Sequence, residues 1–168
     1  MVVKQNAPLR LFEVAPGSND IIPKVMAKLF EHPETAYVSA NVDKKLTASF
    51  KKKTADLPLK IEVIEDIAQN LEQYIKDELF DVVVFEHSVK DMFLGLVQVC
   101  MSILKPGGFI VINHFMYEND LKRGINPELW ENLLPIVREW IITLESGIEI
   151  DVMGFDKQWW MFLQKKTV

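Results

Sequence analysis

Two glycine-bearing turns, each joined to an apolar run, constrain the fold of this chain more than any other feature. The first closes Leu9-Arg-Leu-Phe-Glu-Val-Ala-Pro-Gly-Ser-Asn-Asp20. There an apolar strand ends at Glu13, turns through Pro16 and Gly17, and enters a helix. The second is Leu104-Lys-Pro-Gly-Gly-Phe-Ile-Val-Ile112, where a helical pattern stops at Lys105 and a buried strand follows the two glycines. Alternating strands and helices with such turns build a parallel sheet with helices on both faces. Sheets of this kind hold their ligands at the carboxyl ends of the strands.

The segments between the turns keep the alternation. Leu9–Val14, Ala36–Val42, Leu59–Ile64, Phe80–Phe85 and Phe109–Asn113 read as strands. Asp81 followed by three valines and Phe85 suits a central strand buried on both faces. Ser18, Asn19 and Asp20 offer caps for a helix with an apolar stripe at Val25, Met26, Leu29 and Phe30. A charged helix is expected over Lys44–Lys53, and Ile67, Leu71, Tyr74 and Ile75 recur at helical spacing. Ser88 and Asp91 form a capping box ahead of Met92, Phe93, Leu96, Val97, Cys100 and Leu104. Asn126 and Pro127 cap a long helix striped from Trp130 to Leu144, with Gly147 as its stop. Ile148–Phe155 and Trp159–Gln164 close the chain. Their link, Asp156-Lys-Gln158, is too short for a crossover helix, so the last strand runs antiparallel to its predecessor.

Composition narrows the classes. A length of 168 residues with 49% apolar content suits a single domain over 1–168. The net charge of -5 argues against nucleic acid or an anionic membrane as the main partner. The Lys51-Lys52-Lys53 run reads as a solvated helix end. The amino terminus carries no apolar signal core, and no apolar stretch reaches the ~20 residues that span a bilayer. The single Cys100 sits in an apolar helical pattern and reads as core, which fits a cytoplasmic protein.

The order of strands and helices, the terminal antiparallel hairpin, Leu104-Lys-Pro-Gly-Gly108 and the Glu13-Val-Ala-Pro-Gly-Ser-Asn19 turn together resemble the class I S-adenosylmethionine-dependent methyltransferases. The resemblance covers about Leu9 to Lys166. It implies a doubly wound α/β fold with a seven-stranded mixed sheet, S-adenosylmethionine as cofactor, and methyl transfer to a small-molecule substrate. That family usually shows acidic-x-Gly-x-Gly-x-Gly after the first strand. Here Ala15 and Asn19 replace the first and third glycines, and Gly17 alone matches. A negative φ at Ala15 would let the loop accept its Cβ, while Asn19 tolerates a left-handed conformation.

The resemblance also implies roles at the strand ends. Asp43 matches the acid that accepts from both ribose hydroxyls, and a carboxylate offers acceptor sites on two oxygens. Asp66 matches the acid that accepts from the adenine amino group, with Glu65 its one-residue competitor. Glu13 matches the acid facing the cofactor's amino group, Ile67 would cover the adenine, and Glu86 closes the cofactor set. Acceptor-side candidates are Glu86, His87, Asn113, His114 and Tyr117, of which His87 and His114 suit a general base. No histidine–cysteine cluster has zinc spacing, so no metal is expected. About eight residues precede Leu9, so cover for the acceptor side must come from Phe115–Pro127, a partner subunit or the substrate. Trp130, Trp140, Trp159 and Trp160 add an aromatic load that favours a homodimer. Two other readings compete. One is a methyltransferase-like binding or scaffold subunit without catalysis. The other is a nicotinamide dehydrogenase, which needs a Gly-x-Gly-x-x-Gly that Ala15–Asp20 does not supply.

Overall fold

The computed structural model describes residues 5–75, 79–86, 94–116, 141–152 and 156–167. The elements are β1 (Arg10–Val14), α1 (Ile21–Leu29), β2 (Ala36–Ala40), α2 (Lys44–Thr54), β3 (Lys60–Ile64), a 3₁₀ turn (Ala68–Gln73), β4 (Phe80–Glu86), α3 (Leu94–Ile103), β5 (Leu104–Met116), β6 (Ile141–Val152) and β7 (Asp156–Lys165). They build one sheet in the order β3-β2-β1-β4-β5-β7-β6. β1 to β5 pair in parallel. β7 lies antiparallel between β5 and β6 as expected, although Asp156-Lys-Gln158, read from the sequence as the link, is the start of β7 itself. The chain thus winds outward from β1 to β3, then restarts at β4 on the other side of β1. The reversal puts a crevice above the carboxyl ends of β1 and β4.

Alternation along the strands feeds two apolar layers. Phe12, Val14, Val38, Ala40 and Ile64 pack on one face with Leu71, Cys100, Met101 and Ile103 from the 3₁₀ turn and α3. Leu11 and Tyr37 pack on the other with Met26 of α1 and Phe50 of α2. Burial on both faces is why these strands read as nearly unbroken apolar runs. Each fully buried large side chain contributes roughly 1.5–3 kcal/mol relative to exposure. Cys100 is core, as its helical position implies, and burial pushes its thiol pKa up. No helix among the described residues is long and apolar enough to cross a membrane.

Three elements differ from the sequence reading. The Lys105-Pro-Gly-Gly108 segment is not a turn ahead of the fifth strand; it lies inside β5. The register with β4 slips between Phe80↔Leu104 and Val82↔Phe109, so the segment is a bulge. Gly107 takes φ +77°, and a Cβ on Gly108 would stand 2.9 Å from the Asp81 carbonyl oxygen. The glycines are therefore required by strand contact, not by chain reversal. The helix expected up to Leu144 is also corrected at its end, because Ile141–Val152 is strand. Its pairing with β7 skips between Thr143 and Glu145 and between Ser146 and Ile148, leaving Leu144 and Gly147 as bulge residues. Pairing with β7 along the whole segment outweighs the helical stripe, helped by the β-branched residues around Ile141 and Ile148. Residues 117–140, with Trp130 and Trp140, fall outside the described residues, as do His87 and the Ser88–Asp91 capping box. Finally, the stripe from Ile67 to Ile75 forms one short 3₁₀ segment with only Leu71 fully buried.

Candidate functional site

The carboxyl ends of β1, β2 and β3 lie side by side, and each carries a different polar arrangement. After β1, Ala15 adopts φ +52° and Gly17 φ +62°. Ala15 thus does not meet the condition of a negative φ that would let the loop accept its Cβ, and the left-handed conformation falls on Ala15 and Gly17 rather than on Asn19. For a residue with a Cβ this conformation costs roughly 1–2 kcal/mol. The Ala15 N–H donates to the Ala40 carbonyl at 3.0 Å, which ties the strained residue to the end of β2. Asn19 serves as a cap, its Oδ1 accepting from Ile21 N at 3.1 Å.

Glu13 is only 1% exposed, and the Tyr37 hydroxyl donates to its Oε2 at 2.5 Å. The carboxylate sits within the α1–α2 face of the sheet beneath the loop. The Tyr37 hydroxyl offsets part of the cost of burying it there.

At the end of β2, Asp43 caps α2: its Oδ1 accepts from Lys45 N at 2.8 Å and Leu46 N at 3.0 Å. Both bonds use one oxygen, and among the described residues Oδ2 takes no bond. Asn41, two residues earlier, is 5% exposed. Its Nδ2 donates to the Gly17 carbonyl at 2.9 Å and its Oδ1 accepts from Asp43 N at 3.3 Å. Between them Val42 presents an apolar side chain that is 64% exposed.

Beyond β3, the two acidic candidates part company. Glu65 pairs with Lys51 Nζ at 2.8 Å, and that hydrogen bond holds its pKa below the usual range. Asp66 Oδ2 accepts from the Tyr74 hydroxyl at 2.7 Å, while Oδ1 accepts from Ile67 N at 2.7 Å and Asn70 Nδ2 at 3.0 Å. The Tyr74 bond, then the Ile67 N–H, lower the Asp66 pKa. Ile67 is 45% exposed beside it.

The structure therefore brings Ala15, Gly17, Asp43, Asp66 and Ile67 to one edge, with Glu13 buried below them. Glu86 ends β4 opposite Asn113, and His114 in β5 stands opposite Trp159 of β7. His87 and Tyr117 lie outside the described residues. Asn41, Tyr74 and Lys53 join the candidate site through their hydrogen bonds, a place the sequence reading did not give them. An Asn two residues before a capping Asp is a turn signal that could have marked Asn41. Tyr74 was masked by its place in an apolar stripe. Lys53 carried no signal; its Nζ donates to the Ser18 carbonyl at 2.8 Å, across 35 residues of chain.

No protein-family model and no curated protein matches the sequence. Solved structures do match. An rRNA methylase from Streptococcus thermophilus is 15% identical, with a TM-score of 0.69 over 96% of this chain and 89% of its own. A putative rRNA-methylase from Clostridium thermocellum is 21% identical, with a TM-score of 0.70 over 99% of this chain and 90% of its own. The N-methyltransferase NodS from Bradyrhizobium japonicum, in complex with S-adenosyl-L-homocysteine, is 14% identical with a TM-score of 0.70 over 96% and 80%. At these identities the likeness establishes the fold: the chain has the Rossmann-like fold of the class I methyltransferases.

Proposed function

We propose that this protein binds S-adenosylmethionine and transfers its methyl group to an acceptor. One observation carries the reading: the sequence of polar groups along three adjacent strand ends. An apolar shelf with a carboxylate stands at β3 (Ile67, Asp66), a carboxylate with one oxygen unbonded among the described residues at β2 (Asp43), and a left-handed loop at β1 (Ala15, Gly17). Adjacent strands are ~4.8 Å apart, so one extended ligand can cross all three strand ends. In that order they suit an adenine amino donor, a vicinal diol and a close backbone approach. Val42 and Ile67, both exposed, offer apolar surface to a flat base. The bound cofactor would supply an electrophilic methyl on a sulfonium centre. The chain's residues hold and orient it, and orientation is the main contribution proteins make to such displacements. His114 at the carboxyl half of β5, with Glu86 at the end of β4 and His87 next to it in the sequence, is the proposed source of a general base.

For the acceptor we favour a small molecule, consistent with the net charge of -5. A second reading, RNA, draws on the neighbours titled rRNA methylases and on Lys44, Lys45 and Lys52, which α2 exposes. Beside those neighbours the net charge of -5 favours a small molecule without excluding nucleic acid. A labelled-methyl assay with a panel of small amines and hydroxyls and with total RNA separates the two. Label in neither, together with cofactor binding, leaves the non-catalytic binding subunit.

Cofactor binding is tested by calorimetric titration with S-adenosylhomocysteine. Asp43→Ser is the informative variant, because serine keeps the helix cap while removing the carboxylate. The expected outcome is binding by the wild type, and binding weaker by about 1.5–3 kcal/mol in the variant with its melting temperature retained. No binding by the wild type at millimolar ligand defeats the reading.

A further inference from the structure

We infer that Asn41 is a positioning residue that holds the two halves of the cofactor site in register; this rests on the methyl-transfer reading above. The loop after β1 carries a strained residue, Ala15 at φ +52°, where glycine would be relaxed. Strain of this kind persists only where the surroundings over-determine it. The surroundings here are specific. Asn41 Nδ2 donates to the Gly17 carbonyl at 2.9 Å, and Lys53 Nζ donates to the next carbonyl, Ser18, at 2.8 Å. The Ala15 N–H is held by the Ala40 carbonyl, one residue before Asn41. The three contacts come from β2, the turn after it and α2, so the loop is gripped from the segment beside it.

The same Asn41 side chain reaches the other way. Its Oδ1 accepts from Asp43 N at 3.3 Å, and Asp43 offers the carboxylate proposed for the ribose. One amide therefore joins the loop carbonyl and the acidic turn. An amide carries its donor and its acceptor on separate atoms, so one side chain can donate to a carbonyl and accept from an N–H at the same time. Burial to 5% exposure keeps both bonds out of competition with water. Aspartate, the isosteric substitute, would keep the acceptor and set a carboxylate oxygen against the Gly17 carbonyl.

The test measures S-adenosylhomocysteine affinity by calorimetry and the melting temperature without ligand. Asn41→Ala and Asn41→Asp are expected to bind about fivefold to tenfold more weakly, the weight of one net hydrogen bond. In an Ala15→Gly background the loss on Asn41→Ala should shrink to about twofold, because a relaxed loop needs less restraint. A merely structural Asn41 would lower the melting temperature and leave the affinity of the folded protein alone. Wild-type affinity in folded Asn41→Ala overturns the inference. If Asn41→Ala does not fold, Lys53→Met decides. That exposed change removes the second grip, is expected to weaken binding about twofold to threefold, and overturns the inference if affinity is unchanged. A wild type that binds no S-adenosylhomocysteine defeats the cofactor reading and this inference with it.

Discussion

Ala15 is where one side chain costs the fold most visibly. Its backbone sits at φ +52°, and its side chain is exposed, so nothing is gained by the methyl group. Ala15→Gly should therefore stabilise the protein by about 1 kcal/mol, the strain relieved less the added freedom of the unfolded chain. At this chain length that is a rise of roughly 2–4 °C in melting temperature, read by calorimetry. Asp66 gives a second prediction at this scale. Its lowered pKa comes first from the Tyr74 hydroxyl and then from the Ile67 N–H. Because the folded pKa is depressed, the stability it contributes is present above the ordinary value of 3.8 and is lost as pH falls through the folded value. Tyr74→Phe should move the Asp66 titration up towards that ordinary value, visible in its carboxyl carbon shift by NMR. An unmoved titration would mean that the Ile67 N–H and the Asn70 amide hold the carboxylate ionised without Tyr74.

Among the elements, β5 shows how a motif can be right for a different reason. Leu-Lys-Pro-Gly-Gly reads as a helix stop followed by a turn, yet the strand already includes it. Gly108 packs against β4 so closely that a Cβ would meet the Asp81 carbonyl at 2.9 Å and Leu104 side-chain atoms at 3.0 Å. Asp81 cannot easily retreat, since its carboxylate accepts from Arg10 N at 2.8 Å and Lys105 Nζ at 2.6 Å. Gly108→Ala should cost about 1–3 kcal/mol, the usual cost of overpacking. Urea denaturation would read it as a lower midpoint at unchanged slope. β6 carries the opposite lesson. Its Trp130-to-Leu144 stripe was legible as a helix, but pairing with β7 makes Ile141 onward a strand. Periodicity records which residues want burial and is silent on which neighbour arrives to cover them.

At the scale of the whole molecule, the sheet order puts the loop, Asp43 and Asp66 on three neighbouring strands, although 53 positions separate Glu13 from Asp66 in the chain. Any ligand spanning them binds only the folded protein and must stabilise it. S-adenosylhomocysteine at about 100 times its dissociation constant should add ~2.7 kcal/mol, a rise of roughly 5–10 °C in melting temperature. NAD at the same concentration should give no comparable shift, and a larger shift with NAD would move the chain to the dehydrogenases.

Much of this was legible in the sequence because local chemistry repeats. Apolar runs bounded by Gly and Pro marked β1 to β5, and too little chain for a crossover helix made the last strand antiparallel before any pairing was seen, although its start was placed three residues late. The acids at strand ends were picked out by the resemblance to the methyltransferases, at the place where ligands of wound sheets bind. What only the tertiary structure decided is how each of those residues is engaged. Glu13 turned inward to Tyr37, Glu65 went to Lys51, and Asp66 to Tyr74. Asn41 and Lys53 met a loop 24 and 35 residues away. These are contacts across strands and helices, set by register and packing, and no window along the chain contains both partners. The left-handed Ala15 belongs with them: an isolated alanine avoids that conformation, and it is the grip of β2 and α2 that imposes it.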